Sequence, residues 1–198
     1  MEDGAEFLLT LNHPYKLTAI TESYEPNVRL CEEKLSLLGI EVKQVYKDEK
    51  LPFLDKYFDI IINRHESFCA CEVSRILKEG GYFITQQVGG KNNFDLSTRL
   101  INDFQPKFPE HDLKNNVVQL KATGFEMIKT EESFPTIRFY DVGALAYFAK
   151  IIEWEFPGFS VETCFRQLHE MQKEVEKNKY IEGTEHRFLI VARKCKEC

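Results

Sequence analysis

Nowhere in this sequence does an apolar run approach the roughly 18 residues that a membrane-spanning helix needs. The opening residues also lack the basic-then-apolar layout of a secretory signal. No membrane association is expected, and the cytoplasm is the expected location. Basic residues form no long run, and 26 Lys and Arg stand against 32 Asp and Glu for a formal charge of −6. A polyanion would find little to neutralise it, so nucleic acid is not an expected partner. Internal repeats, low-complexity tracts and a clear linker are absent as well, and 198 residues are expected to form one domain. Cys195 and Cys198 form a CxxC with no second pair at zinc-ribbon spacing, which reads as a solvated tail; no metal is expected. Cys31, Cys69, Cys71 and Cys164 read as reduced thiols, with Cys69 and Cys71 packing within a helix.

The chain does carry 43% apolar residues, including 16 Phe and 8 Tyr, and this composition folds. "EFLLTL" has helical spacing and stops at Asn12-His13-Pro14. "KLTAIT" alternates as a strand ending in Glu22. Pro26 then starts a helix with Val28, Cys31, Leu35 and Leu38 on one face, closed by Gly39. "IEVKQVY" is a second strand, and "FDIIIN" is apolar enough for a strand buried on both faces. "ACEVSRILKEGGYFITQQV" predicts a helix, a two-glycine turn and a strand, the crossover from which parallel sheets are built. Beyond it come two helices, the second ended by Gly124, and the strand "FEMIKTEESF". "DVGALAYFAKIIEW" is helical, a long helix follows with Phe165, Leu168 and Met171 inward, and "HRFLIVARK" is a final strand. The pattern is that of a Rossmann-like α/β fold, a doubly wound and mostly parallel sheet.

In such sheets ligands sit at the carboxyl ends of the strands, where an acid commonly accepts from the two ribose hydroxyls. Glu22 stands in that place, and Asp48 follows the next strand ahead of "KLPF". Taken with "FDIIINRHESF", "EVSRILKEGGYFITQQVGG" and "HRFLIVARK", these acids make the chain resemble class I S-adenosylmethionine-dependent methyltransferases, over nearly its whole length. It is most similar to small bacterial methyltransferase-domain proteins, in which a stretch like "RFYDVGALAYFAKIIEWEFPGF" belongs to the substrate side.

The resemblance implies a cofactor-binding half over 1–92 and a substrate side over 93–198, with antiparallel strands at the C-terminal sheet edge. S-adenosylmethionine is the implied cofactor, S-adenosylhomocysteine its product and a small molecule the implied methyl acceptor. Glu22 would hold the ribose and Asp48 the adenine amine, with Ser23 and Glu49 lining the adenine pocket. Asn63, Arg64 and His65 end the strand that faces methyl donor and acceptor. Asn63 would touch both cofactor and chemistry, and His65 would serve as general base or orient the acceptor. Gln86 and Gln87, followed by Gly89 and Gly90, would flank the substrate together with Arg138, Tyr140, Asp141, Trp154 and His186.

The family's first strand and glycine-rich turn are matched here only by "DGAEF", where Gly4 aligns with a late loop glycine. The sheet is therefore expected to lack that strand and to leave two neighbours with unpaired backbone groups, an edge through which homo-oligomers could form. Two other readings stand beside methyl transfer. One is a non-catalytic relative that keeps the scaffold to bind a partner. The other is a nicotinamide-dependent dehydrogenase, which antiparallel pairing of the late strands would disfavour.

Overall fold

The structure is a computed structural model that describes residues 6–196. Gly4 and Cys198 lie outside the described residues. A short helix α1 (Glu6–Thr10) leads to β1 (Ala19–Glu22), α2 (Glu25–Leu35) and β2 (Glu41–Gln44). Next come β3 (Phe58–Arg64), α3 (Ala70–Ile76), β4 (Leu77–Val88), α4 (Phe94–Leu100) and α5 (Leu113–Ala122). The last third holds β5 (Phe125–Ser133), β6 (Thr136–Phe139), α6 (Val142–Ile151), α7 (Phe165–Asn178), β7 (Ile181–Thr184) and β8 (Arg187–Lys194).

Local chemistry accounts for the helix limits. Pro26 falls in the first turn of α2, where its missing N–H costs no bond, and Val28, Cys31 and Leu35 bury the inner face. Asp112 caps α5 by accepting from the Asn115 amide at 2.8 Å, and Asp141 caps α6 through the Ala144 amide at 2.7 Å.

Three sheets result. β1 and β2 pair in parallel. A four-stranded sheet has the order β3-β4-β8-β5, with β3 parallel to β4 and β8 antiparallel to both β4 and β5. β6 and β7 form an antiparallel pair. Among the described residues β3 has a strand partner on one side only, and the β1–β2 pair is open at both edges.

One apolar cluster joins Leu96, Leu100, Leu145, Phe156, Leu168 and Ile181, between the β6–β7 pair and the helices around it. A second packs Val73, Leu77, Phe83, Leu120, Phe125 and Ile190 about the four-stranded sheet. A third, around Cys31, Leu35 and Ile40, holds α2 to β1 and β2. Gly183 lets β7 lie directly on α4, since a Cβ there would stand 2.4 Å from Leu96 Cδ1.

Several expectations are corrected. "FDIIIN" is not buried on both faces: Ile60 is 54% and Ile62 47% exposed, while Ile61 between them packs against the core, so one face of β3 is uncovered. The antiparallel pairing of the last strand holds, but β8 lies inside the sheet and β5 takes its edge. Gly80 and Gly81 do not separate helix from strand, since β4 starts directly after α3 and contains both. Phe165 points outward from α7 while Leu168 and Met171 are buried, and Cys71 is exposed rather than packed. The β6–β7 pair was not expected, each strand being only 4 residues long.

Phe83 is fully buried, with the rings of Phe68 and Phe125 at 4.9 and 6.3 Å. Phe83→Ala is expected to lower the urea-unfolding free energy by about 3–5 kcal/mol, and Ile62→Ala by less than about 1 kcal/mol. Equal losses would show that the outer face of β3 is covered in solution.

Candidate functional site

The chain segments leaving β1, β2 and β3 meet at one cavity of about 630 Å³. Ser23 comes from the first, Val45 to Glu49 from the second, and Glu66 and Ser67 from the third. The Ser67 hydroxyl donates to Asp48 Oδ2 at 2.5 Å and fixes that carboxylate in the cavity wall. Asp48, Glu49 and Glu66 make the lining acidic, with Lys47 its one cation among the described residues. Burial pushes the Glu66 carboxyl up and the charges of Asp48 and Glu22 add to this, against the Ser67 backbone N–H, which stabilises the ionised form.

Glu22 ends β1, and its carboxylate turns onto the segment that leads into α2. Its Oε1 accepts from the backbone N–H groups of Ser23 and Tyr24, both at 2.8 Å, and its Oε2 from Asn27 Nδ2 at 3.3 Å. The carboxylate thereby closes the start of α2, and the weakly engaged Oε2 retains acceptor capacity.

The ends of β3 and β4 are laced by amides. Asn63 Oδ1 accepts from Thr85 Oγ1 at 2.8 Å and from Gln87 Nε2 at 2.5 Å, while Asn63 Nδ2 donates to the Ser67 carbonyl at 3.3 Å. Gln87 Nε2 also reaches the Glu66 carbonyl at 2.9 Å. Gln87 is buried and consumed by these bonds, so it braces the Glu66–Ser67 turn, whereas its neighbour Gln86 is exposed. His65 has a positive φ of 56° and donates its backbone N–H to the Gln86 carbonyl at 2.8 Å. Burial lowers the affinity of its imidazole for a proton, and the nearby Arg64 and Arg187 lower it further against an opposing pull from Glu185. Arg64 itself lies over the Phe7 ring at 5.1 Å.

On the other side His186 is buried, with Nε2 2.9 Å from Glu132 Oε1 and its ring stacked on Phe134 at 4.6 Å. Nδ1 accepts from the Lys91 backbone N–H at 3.3 Å, which places the ring proton on Nε2. Only glycine fits at position 89, where a Cβ would stand 2.1 Å from this ring. Gly90 donates its N–H to the His111 carbonyl at 2.7 Å. Asn92 Oδ1 accepts from the His186 backbone at 2.8 Å and from Arg187 Nη1 at 2.6 Å. The Asn92 and Asn93 side-chain amides donate to Glu155 at 2.8 and 2.7 Å, and burial pushes that carboxyl up against these two bonds.

The structure thus gathers Ser23, Asp48 and Glu49 on one cavity wall and ties Asn63 to it through Ser67. Arg138 and Tyr140 belong to a separate exposed cluster, in which Arg138 pairs with Glu182 at 2.9 Å and covers the Tyr180 ring at 4.5 Å. Asp141 is spent on its helix cap, and Trp154 is 57% exposed on the loop after α6. Sequence reasoning missed Glu66, Ser67, Tyr46, Asn92, Glu155 and Arg187. For Glu66 and Ser67 the signal was their place directly after "NRH" at a strand end.

No family model matches the chain. It is 34% identical over 88 residues to the phthiotriol/phenolphthiotriol dimycocerosates methyltransferase of Mycobacterium tuberculosis strain H37Rv, covering 40% of this chain and 32% of that protein. The chain spans about a third of the length of the curated relatives it matches. Its fold is similar to that of the YcgJ protein of Bacillus subtilis, with a TM-score of 0.61 and 17% identity over 98% of this chain and 89% of that one. A SAM-dependent methyltransferase of Methanosarcina mazei gives a TM-score of 0.53 and 17% identity, covering 95% and 87% of the two chains.

His65 and His111 both bind protons more weakly than an unperturbed imidazole at 6.5. On acidification the unfolded chain takes up these protons first, so stability is expected to fall from pH 6.5 down through the lower folded values. NMR titration should give His65 a midpoint below 6.5 that rises in Arg187→Ala. An unmoved midpoint would remove Arg187 from the surroundings of His65.

Proposed function

We propose that this chain, which resembles class I S-adenosylmethionine-dependent methyltransferases and has their fold, binds S-adenosylmethionine and transfers its methyl group to a small-molecule acceptor. The observation that carries the reading is the acidic cavity into which the segments after β1, β2 and β3 open, with Asp48 held in its wall by Ser67. Residues 1–92 form the cofactor-binding half and 93–198 the substrate side. Glu22 offers Oε2 to the ribose hydroxyls. Asp48 offers its second oxygen to the adenine amine, beside Ser23 and Glu49. These acceptors suit the donors of an adenosine, and the carboxylates suit a ligand with a positively charged sulfur. When bound, the cofactor supplies a methyl group on a sulfonium. Gly4 enters this site through the resemblance alone.

Asn63 holds the turn that carries Ser67. His65, neutral near pH 7, is suited to take a proton from the acceptor as it becomes nucleophilic. Arg64 and Gln86 flank it at the strand ends, and Arg138, Tyr140 and Trp154 supply polar and aromatic surface on the substrate side. Gln87 and His186 act by bracing the loops on either side of the acceptor position.

A second reading is favoured by the open edge of β3 with Ile60 and Ile62 exposed beside it: a non-catalytic scaffold that pairs with a strand of a second copy. Calorimetry separates the two. Methyl transfer requires saturable binding of S-adenosylmethionine and S-adenosylhomocysteine, weakened at least about tenfold in Asp48→Ala and less in Ser67→Ala. A folded sample that binds neither nucleoside and sediments as a concentration-dependent dimer would establish the scaffold instead.

A further inference from the structure

A second cavity, of about 520 Å³, shares no lining residue with the first. Two thiols line it, Cys71 from α3 and Cys195 after β8, and both are exposed. Around them stand Lys56, Arg75, Lys194 and Lys196, with Asp55 as the one acid of the wall among the described residues. In a chain whose formal charge is −6, this gathers four cations against one carboxylate. Part of that charge is balanced nearby, since Arg75 pairs with Asp55 at 2.6 Å and with Glu72 at 2.5 Å, and Lys56 pairs with Glu79. Lys194 is different. Its ammonium donates to the carbonyls of Ser74 at 2.7 Å and Leu77 at 3.0 Å and, among the described residues, meets no carboxylate.

The walls are held in place. Ser74 Oγ donates to the Thr123 carbonyl at 3.0 Å, and the Cys195 backbone N–H donates to the Gly124 carbonyl at 2.8 Å. Cys71 and Ser74 are three residues apart on α3 and share a face, so the bonds that anchor Ser74 also keep Cys71 on this cavity. Of the other thiols among the described residues, Cys31 and Cys164 are buried and Cys69 is half-buried, and none of the three lines this cavity. Accessible thiols beside positive charge are the ones an anionic reagent reaches, because the charge draws that reagent in.

We propose that this cavity is a thiol–disulfide exchange site for a small anionic disulfide, with Cys71 and Cys195 as its attacking thiols. The cysteine thiolate attacks one sulfur of the incoming disulfide. That S–S bond breaks, a mixed disulfide forms between protein and reagent, and the departing thiolate takes up the proton the cysteine released. The cysteine is oxidised and the small disulfide is reduced, so no further oxidant is needed. The cations act before the bond changes, by concentrating a reagent that carries carboxylates.

The test compares two disulfides of opposite charge, glutathione disulfide and cystamine, on the whole folded chain, with adducts located by peptide mass mapping. At low salt, Cys71 or Cys195 or both should react about tenfold or more faster with glutathione disulfide. The preference should shrink when salt shortens the range of the charges and when Lys196→Glu reverses one of them. A thiol reductant should restore the unmodified protein, and Cys31 and Cys164 should stay unmodified. Equal rates for the two reagents at both thiols, a preference that ignores salt, or adducts confined to other cysteines would each overturn the proposal.

Discussion

The side-chain amide of Gln87 does more than any other group to shape the site. It is buried at the carboxyl end of β4 and reaches across to Asn63 on β3 and to the carbonyl of Glu66 beyond it. Left unpaired, a buried amide of this kind would cost about 1–3 kcal/mol, so the turn after β3 is held to the one course that satisfies it. That course brings Ser67 to Asp48, and Ser67 in turn joins the end of β3 to the segment after β2. The link matters because no strand hydrogen bonds connect the β1–β2 pair to the four-stranded sheet among the described residues. Contacts at the strand ends carry the connection there.

Charge is divided between the two cavities. The one at the strand ends is lined by Asp48, Glu49 and Glu66, and the one beside Cys71 and Cys195 by lysines and an arginine. The two linings differ in sign, and the net acidic balance of the chain does not describe the second. A third polar region centres on the buried His186 and Asn92, which are paired with the exposed Glu132 and the half-buried Glu155. Its bonds hold the loop after β4 against β8 and the segment after α6.

Much of the fold was legible in the sequence because it rests on local pattern. β1, β2, β4, β5 and β8 follow from runs of apolar and β-branched residues, and α2 from Pro26 and its buried face. Asp48 was legible as a candidate because it follows a strand, and it lines the cavity; Glu22, which ends β1, was legible as a candidate in the same way but is not among the cavity's lining residues. What the pattern does not carry is what covers each face of a strand. The apolarity of "FDIIIN" reads as burial on both faces, yet only Ile61 packs against the core, and Ile60 and Ile62 lie on the uncovered face. The pairing of His186 with Glu132, 54 residues away, and of Gln87 with Glu66, 21 residues away, is likewise set by strand register and invisible to local pattern. Ser67 and Glu66 gain their place in the site only through that register.

The central claim is that the ends of β1, β2 and β3 form one adenosine-binding cavity. Backbone amide shift mapping of the labelled chain with S-adenosylhomocysteine tests it most directly. The account predicts saturable shifts at Ser23, from Val45 to Glu49, and at Glu66 and Ser67. Shifts confined to the β6–β7 pair, or no shifts from a folded sample, would contradict it.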